Sequence, residues 1–283
     1  MSKGKRLADI LTHLVLTAVL LVTVFPLIYT IFASFKTNAE IMANPAAIFP
    51  AHPTFQNYID ALHSETFDVK RMTFNSTYYT IVVVAFTILS SALGGYVFAR
   101  GEFRGKSFWL AAFSLLMFFS MGSVTIYPTL KILNFLHVPK SLPGLMLTKI
   151  FGVSIVNIYL VRSYVYSLPF GIEEAAEIDG CGFSGIFFRI VLPLLKPIMA
   201  TIGVLAFQGS WNDYLMPMIY TLGDPKQRPL IVGVIALSKS GESAASYNLV
   251  FAGTTIALIP VLVAYAIGNR YFVSGLSAGA VKG

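Results

Sequence analysis

The chain has 283 residues, 56% hydrophobic and only 12% charged, with a mean hydropathy of +0.73. Soluble domains carry about 25% charged residues, so the composition excludes an ordinary soluble fold and indicates an integral membrane protein. The net charge of +7 comes from basic residues scattered singly, which excludes a folded nucleic-acid-binding face and leaves them as membrane flanks. The lone cysteine, Cys181, can form neither an internal disulfide nor, by itself, a thiolate metal centre.

Apolar runs of about 20 residues, the length that crosses a bilayer, recur near Ile10–Phe35, Phe74–Ala99, Phe108–Phe135, Leu142–Tyr164, Ile198–Tyr220 and Tyr247–Tyr271. Lipid offers the backbone no hydrogen-bond partners, and these runs lack the two-residue alternation of a barrel strand. The expected fold is therefore an all-α membrane protein, a six-transmembrane-helix bundle forming one domain over residues 1–283. Lys3, Lys5 and Arg6 precede the first run, which is too long for a signal-peptide core and is expected to remain as an anchor.

After the first span, Lys36–Thr73 is the longest connection outside the bilayer. Pro45, Pro50 and Pro53 predict a non-helical start, followed by a short helix over Phe55–Leu62. This segment either caps the bundle, meets a partner or serves as a solvated connector. In the second span, Ser91, Gly95 and Ala99, like Ser90 and Gly94, repeat small residues every fourth position, a spacing that lets helices approach closely. Lys131 and Lys149 fall near outer span ends, where they are expected to snorkel. With both termini inside, the inner segments hold eleven Lys and Arg against nine outside, and the basic N-terminus and the short loop with Arg100, Arg104 and Lys106 favour that orientation.

The stretch Ile172–Pro197 reads as the least lipid-like long segment in a sequence of repeated membrane spans, and it is patterned as a helix, a glycine break and a second helix. Glu173, Glu174 and Glu177 lie in the first turns, where the helix dipole favours negative charge. Ala175, Ala176 and Cys181 leave small surfaces for close contact, and Gly180 and Gly182 permit the conformations that end a helix.

Span five carries the most polar interior. Gln208, Trp211, Asn212 and Leu215 fall at i, i+3, i+4 and i+7, a stripe of amides beside an aromatic face that would suit a polyhydroxylated ligand or serve as interhelical glue. Asp213 is offset from that stripe. No phosphate-binding Gly-x-x-x-x-Gly-Lys-Ser/Thr motif occurs. His13, His52, His63 and His137 are too dispersed for a local metal motif, so neither catalytic nor metal residues are expected.

Glu174-Ala175-Ala176, Asp179-Gly180, Phe187, Ile190, Leu192-Pro193 and Pro197 resemble the EAA loop of permease subunits of bacterial ABC importers, with Cys181 where that pattern usually has alanine. Ser34–Ile41, Gly95–Arg100 with Phe103-Arg104-Gly105, and Trp211–Tyr214 are similar to the carbohydrate branch related to the maltose permease. The resemblance implies a type I importer permease with a cytoplasmic coupling loop over residues 165–197. It implies a second permease, two ATPase subunits that bind ATP and Mg, an extracytoplasmic solute-binding protein and a carbohydrate substrate. The chain itself would be non-catalytic, without a cofactor, and multi-pass in the bacterial inner membrane.

By the same resemblance, Glu174 would pair with an ATPase arginine, Ala175 and Ala176 would give close contact, and Asp179 with Gly180 would shape the turn. Glu173, Glu177 and Cys181 complete the expected coupling set; Gln208, Trp211 and Asn212 are the expected substrate path. The alternatives are a scaffold subunit whose partner makes most substrate contacts, and an ion-coupled secondary transporter, for which only Asp213 is a candidate coupling residue.

Overall fold

The computed structural model describes residues 3–64, 67–118, 122–239 and 246–280. In chain order the helices are α1 (Lys3–Ala33), α2 (Asn38–Ala43), α3 (Gln56–His63), α4 (Val69–Arg100), α5 (Lys106–Phe118), α6 (Ile126–Phe135), α7 (Leu142–Ile150) and α8 (Ile155–Ser167). They continue with α9 (Gly171–Ile178), α10 (Phe183–Ile186), α11 (Leu192–Leu194), α12 (Lys196–Trp211), α13 (Leu215–Tyr220), α14 (Leu230–Lys239) and α15 (Tyr247–Ala280). No strand occurs among the described residues.

Four helical stretches are long and apolar enough to cross a membrane: Asp9–Ala33, Val69–Arg100, Leu142–Ser167 and Tyr247–Gly268. Phe183–Leu194 and Lys196–Trp211 make a fifth if the pair, bent by 74°, counts as one span. The expected third span is not one described helix, because α5 stops at Phe118 and part of that run, residues 119–121, lies outside the described residues. The expected fifth span is interrupted between Trp211 and Leu215. Pro217 supplies the reason: a continuous helix would need its missing N–H to bond the Asp213 carbonyl, whereas in the first turn of a new helix that donor is not required. The proline-rich outer segment also begins with a helix, α2, which had been expected to be non-helical. Thr37 caps it by accepting the Glu40 N–H at 3.2 Å.

The chain groups into two compact units, Met1–Lys70 with Leu230–Ile259, and Arg71–Pro229 with Pro260–Gly283. In the first, the end of α1 is bound into the outer segment. Asn57, buried on α3, donates through Nδ2 to the Ser34 and Lys36 carbonyls, both at 2.7 Å, and accepts from Asn248 Nδ2 at 2.9 Å. Lys36 is fully buried; its ammonium donates to the Ala47 carbonyl and lies 5.7 Å from the centre of the Tyr29 ring. Most of α1, from Ile10 to Val22, is exposed apolar surface of the kind lipid covers.

In the second unit α4 packs on α8 through the small residues singled out above. A Cβ on Gly95 would sit 2.4 Å from Val161 Cβ and 3.1 Å from the Arg162 backbone nitrogen, so only glycine allows this approach there, while one on Gly94 would sit 2.8 Å from the movable Cδ1 of Ile158. Lipid tails are as apolar as leucine, so such van der Waals contact, rather than exclusion of water, holds these helices together. Ala92, Tyr96 and Ala99 join Val161, Val165, Ala176, Phe187 and Val191 in one core. Tyr79 and Val83 join Leu142, Leu145, Met146 and Tyr220 in another.

Candidate functional site

Two polar features stand out in the second unit. The first is the loop around α9. Two of its residues, Glu173 and Ala176, point inward; Glu174, Ala175, Glu177, Ile178, Asp179 and Gly180 are exposed. Arg100, at the end of α4, donates from Nε to Glu173 Oε1 at 2.8 Å, and Tyr96 Oη donates to Glu173 Oε2 at 3.3 Å. The same guanidinium donates from Nη2 to the Val165 and Leu168 carbonyls, at 3.2 and 3.4 Å, and lies 4.9 Å from the centre of the Phe170 ring. Those carbonyls belong to the end of α8, where a helix has unsatisfied acceptors and a favourable field for a cation. One arginine thus ties α4, the end of α8 and the inner edge of α9 together.

The C-terminus of α9 follows from Gly180. Its N–H bonds the Glu177 carbonyl at 2.9 Å, and the Cys181 N–H reaches back to Ala176 at 2.9 Å, with φ of +83° at Gly180. This is the paired-bond helix stop that needs a left-handed residue. Nothing lies within 4 Å of a Cβ built there, so the chain's own packing leaves that side open. Cys181 is half-buried against the core. Beyond Gly182, α10 runs through a π-helical turn, Phe187–Val191, into α11, and Tyr96 stacks on this segment with ring centres 4.7 Å from Phe183 and 5.1 Å from Phe187.

The second feature lies at α12. The expected stripe divides. Gln208 and Asn212 are exposed, with Asn212 Nδ2 donating to the Gln208 carbonyl at 3.0 Å, whereas Leu215 belongs to the next helix. Trp211 is buried and stacks on Phe207, ring centres 5.7 Å apart, in the wall of a mainly apolar cavity of about 370 Å³ with Thr77, Thr80 and Ile81. Trp211 is thus buried where the two amides are exposed.

Asp213 and Lys149, by contrast, meet. Lys149 Nζ is 3.3 Å from Asp213 Oδ2, and the same oxygen accepts from Tyr79 Oη at 2.8 Å. Lys149 sits at the end of α7, before a break at 151–154, and turns toward a carboxylate. Beside the pair is a cavity of about 350 Å³ lined by Tyr79, Val83, Lys149, Ser154, Asn157 and Ser210, among others. Sequence reasoning missed Lys149, Asn157 and Tyr79, since none falls on a recognisable motif and their approach depends on tertiary packing. Arg100 was read as a flank, although it lies in a stretch already matched to the family.

Residues 95–277 match the family described as binding-protein-dependent transport system inner membrane component. The chain belongs to that family. It is 31% identical to the galactooligosaccharides transport system permease protein GanQ of Bacillus subtilis, over 96% of this chain and 95% of that one. It is 32% identical to the sulfoquinovosyl glycerol transport system permease protein SmoH of Agrobacterium fabrum, over 92% and 89%. Its fold is that of a chain in the crystal structure of a bacterial ABC transporter involved in import of the acidic polysaccharide alginate, with a TM-score of 0.85 at 24% identity over 96% of this chain and 99% of that one. The protein is thus a multi-pass inner-membrane component of a binding-protein-dependent importer.

Proposed function

We propose that this chain is one transmembrane subunit of an ATP-driven importer of sugars or oligosaccharides, working with a second permease, two ATPase subunits that bind ATP and Mg, and an extracytoplasmic solute-binding protein. Relatives named for oligosaccharide uptake support the substrate class. The observation that carries the coupling role is the division of α9: its inner edge is bolted to α4 and α8 through Glu173, while Glu174, Ala175, Glu177, Asp179 and Gly180 face outward. A helix held in that way moves with the helices that hold it, so a push on its outer edge becomes rigid-body rocking of the spans. ATP binding by the partners supplies the push, and the cavity alternates between outward and inward access. Transport in one direction then requires different ligand affinities in the two states.

In this reading Glu174 meets an ATPase arginine, residues 165–197 and both termini are cytoplasmic, and 1–283 acts as one permease domain. Gln208 and Asn212 line the path, whereas Glu173 and Ala176 act from inside by positioning α9. The test is purification of the chain from its native membrane together with uptake in inverted and right-side-out vesicles. A complex with a second permease and two ATPases, and oligosaccharide uptake that requires ATP, are expected. Uptake by the chain alone without ATP would overturn the assignment.

A further inference from the structure

Helix α3 has three faces rather than two. With about 3.6 residues per turn, Asn57 and Ala61 share one side and are buried, whereas Gln56, Asp60 and His63 share a second and are exposed. Phe55, just before the helix, and Ile59 and Leu62 within it share the third, and these large apolar side chains are 70%, 48% and 41% exposed. On the polar face Gln56 Nε2 donates to Asp60 Oδ1 at 2.8 Å. An exposed apolar stripe of this kind marks a contact with a protein or with a membrane, and the place of α3 in the fold decides which.

The buried face fixes that place. Besides the Asn57 bonds to the Ser34 and Lys36 carbonyls, the Thr54 N–H donates to the Phe35 carbonyl at 2.9 Å, and Tyr58 Oη shares a hydrogen bond with Ser34 Oγ at 2.6 Å. These contacts seat α3 on the turn that ends the span Asp9–Ala33. That span has 25 residues, about 37 Å of helix against a hydrocarbon core of about 30 Å. Ile28 and Ile31, near its end, are exposed, so hydrocarbon must reach that far. From there the apolar surface continues onto the outer segment, because Phe49 packs on Phe32 and Phe55 on Phe35, with ring centres 4.9 and 5.2 Å apart. The next span starts at Val69, a few residues past the end of α3 at His63, so the chain on both sides of α3 leads into the bilayer. A helix on the bilayer boundary needs one face for protein, one for water and one for acyl chains. We propose that α3 lies in the membrane surface at the Ala33 end of α1, with Phe49, Phe55, Ile59 and Leu62 among the acyl chains just below the headgroups. Seated there, α3 holds the end of α1 at a fixed depth, whatever the cargo.

The experiment uses the full-length chain, in the complex with which it purifies, in nanodiscs of phosphatidylethanolamine and phosphatidylglycerol. Cys181→Ala removes the lone thiol. Phe55→Cys, Ile59→Cys and Leu62→Cys on the apolar face, and Gln56→Cys, Asp60→Cys and His63→Cys on the polar face, each carry a nitroxide. Electron paramagnetic resonance then reads the collision rates of each label with oxygen, which concentrates in hydrocarbon, and with a nickel chelate confined to water. The oxygen-to-nickel ratio is expected to be at least threefold higher on the apolar face than on the polar face. Equal ratios on the two faces place both in water, and few collisions with either reagent on the apolar face place a protein partner over it; either result overturns the proposal. Should the labelled variants fail to fold, Phe55→Trp and Asp60→Trp in the otherwise unaltered chain are compared in lipids brominated high on the acyl chain. Added quenching over the parent is expected for Phe55→Trp and not for Asp60→Trp, and equal quenching overturns the proposal.

Discussion

Two ion pairs in the same unit have opposite surroundings. Arg100 and Glu173 are 13% and 7% exposed, and the arginine also bonds two carbonyls while the glutamate also accepts from Tyr96. Lys149 and Asp213 are 36% and 17% exposed and meet through one oxygen, and Lys149 borders a cavity. The first pair has used its hydrogen-bonding capacity on its own chain and is a strut. The second has capacity left over, which is what recognition requires. Charge alone does not tell these apart; the number of other partners and the space beside the pair do.

The strongest way to break this comparison is to remove one partner of the strut. Glu173→Ala leaves the Arg100 guanidinium buried without its counter-charge, and breaking a buried pair in this way costs about 3–5 kcal/mol. A large drop in thermal stability of the purified chain is expected, with transport lost in proportion. The exchanged pair Arg100→Glu with Glu173→Arg should recover part of it, although the carbonyls of α8 would lose their donor. If Glu173→Ala abolished transport at unchanged stability, the pair would be a working contact rather than a strut.

A smaller effect separates the chain's own needs from those of a partner. Gly180 sits at φ of +83° with open space where a Cβ would point. Alanine there costs about 1–2 kcal/mol for the left-handed backbone, and leucine should cost the isolated chain no more, because nothing in the chain obstructs it. In the assembled transporter, Gly180→Leu is expected to release the ATPase subunits far more than Gly180→Ala. Equal ATPase retention, measured by co-purification, would mean that no partner surface approaches the turn.

Much of this was legible beforehand, for physical reasons. Long apolar runs had to become helices, so α1, α4 and α15 follow from composition, and the small residues of α4 foretold the close approach to Val161. The breaks were harder. Asn212–Tyr214 and 151–154 interrupt runs that are apolar enough to read as continuous, and only Pro217 betrayed the first of them. At α9, Glu173 and Glu174 are adjacent and chemically identical, yet only helical phase decides that Glu173 joins Ala176 inside. The basic residues read as flanks proved to be partly structural: Arg100 and Lys106 donate to carbonyls at helix ends, the latter to Gly101 at 2.9 Å. Pairing between distant residues such as Lys149 and Asp213 leaves no local pattern to read.

The smallest expected effect is also the sharpest test of the comparison. Lys149 is more than a third exposed and touches Asp213 through a single contact at 3.3 Å. Pairs of this exposure contribute about 0.2–1 kcal/mol, and Asp213 would keep its bond from Tyr79 after the lysine is removed. Lys149→Gln, which retains length and a donor, should therefore shift thermal stability by less than about 1 kcal/mol, several-fold less than Glu173→Ala. Thermal unfolding of Lys149→Gln and Glu173→Ala side by side decides the matter. A stability loss in Lys149→Gln equal to that of Glu173→Ala would make both pairs struts and erase the difference between them.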